Sequence, residues 1–428
     1  FLKANKLSLD SLMSNFKIRG NLKLIPGLYL KKINKNEIEK EADWIFEQIK
    51  IQLSSVESIS NVRKKVLMVL EFLKKEFLDE PFIATYRRYV FEPELTDKDI
   101  WKLFELDREW KELNDYKVNV IKQFNVVKEY LKGKSEFSQV RYIDNAKSIQ
   151  ELTYMEKRIK FLKELHSDDQ SNKELQDEKK IGGYQRPVKK SLIVECVRNR
   201  INEYAEQFTM RANDLAVNLE LLINNEDPSK QIHAPEPQES LGDLVKQYKS
   251  VKYDQELKIM EMALKFLAQE MASHPFIRQY VYNYFRANCL LSTEPTELGK
   301  KELDVFNPLF KTKRIVKKPI TQFNNELYLY IVQAEQKGLI KVTLSILENE
   351  ENLKDLKNKL CNAYMPNVEE SQGEKNGWKI MREEAITMLV DDVLNKEFLE
   401  EVKTELFSYA EKFAINESAK PLTHLLSA

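Results

Sequence analysis

Apolar residues recur along most of this chain at intervals of three and four, the spacing of one buried face on an α-helix. Val62, Val66, Val69, Leu70, Leu73 and Phe77 trace such a face over residues 61–77, and Pro81 is expected to end that run. A second face passes through Trp101, Phe104, Trp110 and Leu113 to Leu131, with Thr96 or Asp97 as its cap and Gly133 as its stop. Ser148 and Glu151 have capping-box spacing and open a helix through Met155 and Phe161 to Leu165. Ser191 caps a helix reaching Phe208, residues 209–219 form a short one, and 253–271 form a strongly amphipathic one. Ser273, followed by Pro275, has the chemistry to open the next helix. Residues 325–336 predict a helix closed by Gly338, and 379–413 read as two more. Alternation of apolar and polar positions supports a single strand, at Val342, Leu344 and Ile346.

The gaps in this pattern divide the chain. Residues 1–38 mix apolar and basic side chains without a period, broken by Pro26 and Gly27, and read as an extended tail. Residues 166–190 are polar, hold Gly182 and Gly183 and offer no apolar face, as a flexible linker would. Residues 39–165 and 191–428 are then two helical regions, and Pro235 and Pro237 make a short extended piece within the second. No repeat with a period of 20 to 50 residues emerges. The expected class is all-α: an elongated multi-helix array with at most one small strand element.

Composition agrees with long solvated helices, since glycine occurs only 10 times in 428 residues while 32% of residues are charged. The formal net charge is zero, so any affinity for nucleic acid must come from local patches. The first 34 residues carry seven basic side chains against Asp10. Lys311, Lys313, Arg314, Lys317 and Lys318 make a second basic cluster with no acid among them, interleaved with Ile315 and Val316. That density suits contact with phosphates through counterion release. Arg87 and Arg88 are a further pair suited to a phosphate backbone, although Glu92, Glu94 and Asp97 stand close enough to pair with them instead.

Candidate chemistry is sparse. GKS at 133–135 resembles the end of a phosphate-binding loop, but Lys128 stands where that motif needs glycine. His166, His233, His274 and His424 are scattered and read as surface or cap residues. Cys196, Cys289 and Cys361 share no metal-ligand spacing and read as reduced, partly buried thiols of an intracellular protein. Acids near Glu348, Glu350, Glu351 and Asp355 read as a solvated helix face. Trp101, Phe104 and Trp110 recur at helical spacing and read as core. No run approaches the length needed to cross a bilayer. The chain begins at Phe1, and a fragment of something larger is expected. No cofactor is called for, and no residue offers catalysis.

Several segments together carry a resemblance. SHPFIRQYVYNYF (273–285), STEPTELGKKELD (292–304), the basic run and LYIVQAEQKGLIKVTLSI (329–346) form one block. PFIATYRRYVFEPEL (81–95), IWKLFELDREWKEL (100–113), EKEADWIF (39–46) and PVKKSLIVECV (187–197) precede it. In order and separation they resemble the eukaryotic transcription elongation factors and histone chaperones of the suppressor of Ty six family, relatives of bacterial Tex. The resemblance covers residue 35 onward and weakens after Ile346. It implies a helix-turn-helix domain in the first region and a Tex-like central helical region in the second. It also implies a nuclear location, with the elongating RNA polymerase II complex, histones, nucleic acid through non-specific contacts and other elongation factors as partners. Lys300 and Lys301 in the TELGKK turn join Arg87, Arg88 and the 311–318 cluster as candidate nucleic-acid or partner contacts. A helical scaffold touching only proteins is the alternative, and a Tex-like nuclease would need carboxylates beyond residue 428.

Overall fold

The computed structural model describes residues 35–50, 59–76, 78, 80–130, 139–166, 191–225, 230–235, 241–250, 252–323, 326–346, 350–365 and 375–426. Residues 1–34 of the tail expected over 1–38, the stop at Gly133, the GKS triplet and linker residues 167–190 lie outside them. Residues 35–38, expected as the end of that tail, are instead the first turn of a helix, because Ile38 belongs to its buried face. The chain divides into two compact units between Tyr116 and Lys117.

In the first unit, α1 (Lys35–Lys50) and α2 (Ile59–Lys74) pack together. Their shared face is set by spacing: Ile38, Ala42, Ile45 and Ile49 from α1 bury against Val62, Val66, Val69 and Leu70 from α2. Leu73 is only partly buried, and Phe77 lies outside the described residues. Pro81 does not end the α2 pattern but sits in the first turn of α3 (Glu80–Tyr86), where its missing N–H costs nothing. The short α4 (Arg88–Phe91) follows, and then α5 (Asp97–Tyr130), inside which the division between units falls. Thr96 opens α5: its hydroxyl accepts the Asp99 N–H at 3.4 Å, while Asp99 Oδ2 accepts from the Thr96 N–H and hydroxyl, both at 2.7 Å. Phe104 is buried and Trp110 stacks on Trp44 at 5.4 Å, whereas Trp101 is 37% exposed and does not belong to the core.

A buried polar cluster crosses this unit. Lys74 bonds Glu41 and lies 3.0 Å from Asp107, so two carboxyl groups share one ammonium. Burial, and then the hydrogen bond with Asp107, push the Glu41 carboxyl up to about 8.

The second unit is organised around α12 (Glu256–Ser273), whose buried positions from Ile259 to Ser273 go well beyond one narrow face. Packed on it are α7 (Ile149–Leu165), α8 (Leu192–Arg198), α9 (Ile201–Phe208), α11 (Leu241–Gln247), α13 (Pro275–Asn288) and α17 (Lys375–Met388). The remaining helices of the unit are α6 (Gln139–Asn145), α10 (Ala212–Ile223), α14 (Glu297–Glu302), α15 (Leu327–Gln336), α16 (Glu350–Tyr364) and α18 (Asn395–Leu426). A π-helical turn over Leu389–Leu394 joins α17 to α18, so the two expected C-terminal helices run on without a loop.

Two expected caps resolve differently. Pro275 forces His274 into an extended conformation, so His274 takes the cap position of α13 and Ser273 is the last residue of α12. The Ser273 hydroxyl instead donates to the Glu270 carbonyl at 2.7 Å and accepts from Arg158 Nη1 at 3.0 Å. His274, read from sequence as a surface or cap residue, is at the cap but only 2% exposed; burial, and then Arg158, push its imidazole down to about 3. The helix expected from Ser191 to Phe208 is two helices, because Arg200 adopts a left-handed φ of 57° between α8 and α9. Ser191 makes no cap bond and donates its hydroxyl to Glu164 at 2.6 Å.

α18 is locked to the bundle through Arg278. Its guanidinium, 1% exposed, lies between the rings of Tyr154 and Phe398 at 4.9 and 5.0 Å and donates to Glu397 and Glu401, each at 2.5 Å. Lys157 reaches the same two carboxylates at 2.6 and 3.1 Å. Burial alone would raise the Glu397 carboxyl; Lys157 and Arg278 hold it below its usual range. Cys196 and Cys289 are buried, and burial raises both thiols to about 12; Cys361 is raised to about 11.

A three-stranded antiparallel sheet completes this unit. The strand expected near Val342 is β3 (Ile340–Ile346), and it pairs with β1 (Cys289–Pro295), which also pairs with β2 (Ile315–Pro319). Neither β1 nor β2 was legible from alternation. Half of β1 lies in the segment read as a polar connector, and β2 takes in the C-terminal end of the basic cluster, Lys317 and Lys318.

Candidate nucleic-acid interface

The TELGKK segment is an anchor for this sheet. Thr296 caps α14, its hydroxyl accepting the Gly299 N–H at 3.1 Å. That hydroxyl also donates to the Gly338 carbonyl at 2.7 Å, and the Thr296 N–H donates to the Leu339 carbonyl at 3.0 Å. Gly338, at φ 69°, ends α15 as expected: its N–H reaches the Glu335 carbonyl and the Leu339 N–H the Ala334 carbonyl, both at 2.9 Å. One turn of α14 and the end of α15 are thus fastened together at the mouth of the β1–β3 pair.

β2 is an edge strand, and it carries a bulge. Leu291 faces Lys318 and Thr293 faces Ile315, so two steps along β1 span three along β2. Lys317 absorbs the extra residue with a left-handed φ of 45°. Side chains of β1 replace the missing ladder bonds: Ser292 Oγ accepts the Lys317 N–H at 3.0 Å, and Thr293 Oγ1 accepts the Ile315 N–H at 2.9 Å and donates to the Thr312 carbonyl at 2.7 Å. The bulge turns Val316 into solvent at 77% exposure while Ile315 stays buried, so of the two interleaved residues only Ile315 anchors the strand.

Of the sequence-named cations of this unit, Lys317 and Lys318 lie in β2, Lys311, Lys313 and Arg314 lead into it, and Lys300 and Lys301 lie in α14. Lys311, Arg314 and Lys317 are exposed, and Lys318 stands 4.7 Å over the Phe323 ring. Lys313 differs, because its ammonium is spent inside the fold, donating to the Leu303 carbonyl at 2.5 Å beside the Phe310 ring. Among the described residues, Lys311, Lys313, Arg314 and Lys318 make no ion pair. Lys300 pairs with Glu297 at 2.6 Å, and Lys301 is exposed. Sequence reasoning missed Val305 and Phe306, 75% and 93% exposed on the turn between α14 and β2. The Asp304-x-x-Asn307 spacing that orders this turn was its only local signal.

In the first unit, Arg88 reaches Glu92 at 3.5 Å across two exposed side chains, as the pairing alternative expected. Arg87 donates to the Tyr89 hydroxyl at 3.0 Å and lies 5.6 Å from the Phe72 ring. Tyr86 and Tyr89 are exposed beside them. Among the described residues no helix is long and apolar enough to cross a membrane.

Comparison with known proteins agrees with this arrangement of elements. Residues 30–129 match the family described as the helix-turn-helix DNA-binding domain of SPT6, and residues 233–417 match the Tex central region-like family. The chain belongs to the suppressor of Ty six family. Within it, the Suppressor of Ty 6 homolog of Caenorhabditis briggsae is 24% identical over 434 residues, taking in 90% of this chain and 28% of that protein. The Transcription elongation factor SPT6 homolog of Arabidopsis thaliana is 24% identical over 439 residues, 92% of this chain and 25% of its own length. For the Drosophila melanogaster Transcription elongation factor SPT6 the values are 20% over 458 residues, 89% and 24%. The chain spans about a quarter of the length of these curated suppressor of Ty six relatives.

Proposed function

We propose that this chain is the helix-turn-helix and Tex-like central part of a nuclear transcription elongation factor that works by binding rather than by catalysis. In this reading its helices hold basic surfaces against nucleic acid in the elongating RNA polymerase II complex, with histones and other elongation factors as further partners. The observation that carries it is the bulged edge strand and the turn leading into it, where Lys317 on the strand and Lys311 and Arg314 just before it are exposed on a chain whose net charge is zero. Cations placed together in this way bind phosphates by releasing counterions. An electrophoretic shift with duplex DNA at low and at physiological salt tests it: retardation that weakens as salt rises is expected, and no retardation at low salt overturns it.

A helical scaffold without nucleic-acid contact has its own support in the first unit. Tyr and Arg are the residue types that concentrate binding energy in protein interfaces, and Tyr86, Arg88 and Tyr89 are exposed around a half-buried Arg87. That reading expects protein partners to be retained by the chain while the shift assay stays blank.

A further inference from the structure

The turn between α14 and β2 is ordered by its own polar groups. Lys313 Nζ, donating to the Leu303 carbonyl, draws the two ends together. Asp304 Oδ1 accepts the N–H groups of Phe306 and Asn307 at 3.2 and 3.0 Å, and the Asn307 side chain accepts the Leu309 N–H at 2.9 Å and donates to the Glu302 carbonyl at 3.0 Å. The backbone is therefore fixed without help from Val305 and Phe306. A Phe ring left 93% exposed on a fixed backbone forgoes its own burial and needs little further ordering on binding.

What covers the ring is constrained by the strand beside it. The free edge of β2 is closed to an added strand by the left-handed Lys317, by Pro319 with no N–H to give, and by its charge. A partner must meet side chains rather than backbone. Lys301 and Lys311 each lie five residues from Phe306 and Arg314 eight, and none of the three makes an ion pair among the described residues. The complement is an anion that also offers a flat apolar face. Duplex DNA keeps its base faces stacked inside; a single strand presents them beside its phosphates.

We propose that the 303–313 turn is a stacking platform for single-stranded nucleic acid, with a base on Phe306 and the flanking phosphates on Lys301, Lys311 and Arg314. This rests on the reading of the basic edge as a nucleic-acid surface and adds the strand state that it selects.

The test is fluorescence anisotropy of the purified chain with labelled oligothymidine of about 12 nucleotides and a duplex of equal length. Phe306→Ala is expected to weaken single-strand binding about tenfold, with duplex binding changed less than about twofold and Phe306→Tyr restoring the loss. Because the ring is exposed, the alanine variant should keep the wild-type helical circular dichroism. Equal losses on both nucleic acids, or none on the single strand, overturn the stacking platform. If Phe306→Ala is silent while removing the five 311–318 cations flattens the salt dependence, the platform fails and the basic interface stands; if both are silent, both fail. Loss of polyglutamate binding with oligonucleotide binding intact would assign the turn to an acidic protein and overturn the proposal.

Discussion

The α-carbon of Gly299 abuts the carbonyl oxygen of Leu339: a β-carbon on Gly299 would stand 1.8 Å from it. The obstacle is backbone, and the same oxygen accepts the Thr296 N–H, so it cannot swing away without breaking the anchor. Gly299→Ala should therefore destabilise the second unit by about 2 to 4 kcal/mol. Thermal unfolding checks this, and an alanine variant melting with the wild type would contradict the close approach. Thr296→Ser, which keeps the cap, should stay within about 0.5 kcal/mol.

Arg278 is the second point where one side chain decides the packing. Arg278→Ala removes a buried cation from between two rings and releases α18 from Glu397 and Glu401, at a cost of about 3 to 5 kcal/mol. Arg278→Met should cost less, because it fills the slot between Tyr154 and Phe398 while both carboxylates keep Lys157. Urea midpoints of the two variants measure the difference; equal midpoints would mean that the ion pairs, not the packing, hold the helix.

The helices of this protein were legible where apolar spacing alone determines them, as at Val62 to Leu70, and where a cap has a local signature, as at Thr96, Ser148 and Gly338. Less legible were positions decided by a partner distant in sequence. Gly299 looks like loop punctuation until Leu339 is placed against it. β1 was hidden because Ser292 and Thr293 are polar in sequence, yet they act as ladder acceptors for a bulge that exists only when β2 is paired. The basic cluster was visible as charge, but its sorting into exposed Lys311, Arg314 and Lys317 and inward-tied Lys313 depends on the carbonyl of Leu303. Arg200 gave no signal at all, since nothing in its identity announces a left-handed turn.

Glu41 makes the first unit sensitive to alkali. Its folded carboxyl titrates near 8 against an ordinary value of 4.5, so its contribution is complete below the ordinary value and is lost as pH rises through about 8. Glu41→Gln should flatten that loss. Urea unfolding followed by the fluorescence of the Trp44–Trp110 pair, on either side of this window, gives the slope; an unchanged slope in the variant would assign it elsewhere.

His274 acts on the other side of neutrality. Buried uncharged, with its folded value near 3 against an ordinary 6.5, it contributes stability that is whole above 6.5 and lost as pH falls toward 3. His274→Asn puts a residue suited to the cap position there and removes the titration. Melting temperatures across that range should fall less steeply in the variant, and parallel curves would rule out His274 as the cause.

That this chain works through an exposed basic edge is tested most directly by the salt dependence of duplex DNA binding. For wild type and a variant with Lys311, Lys313, Arg314, Lys317 and Lys318 all changed to alanine, the slope of log affinity against log salt should differ by roughly one for each phosphate that the variant no longer neutralises. Because Lys313 is tied to Leu303, a reduction of about three to four is expected rather than five. Identical slopes would contradict a role for the basic edge.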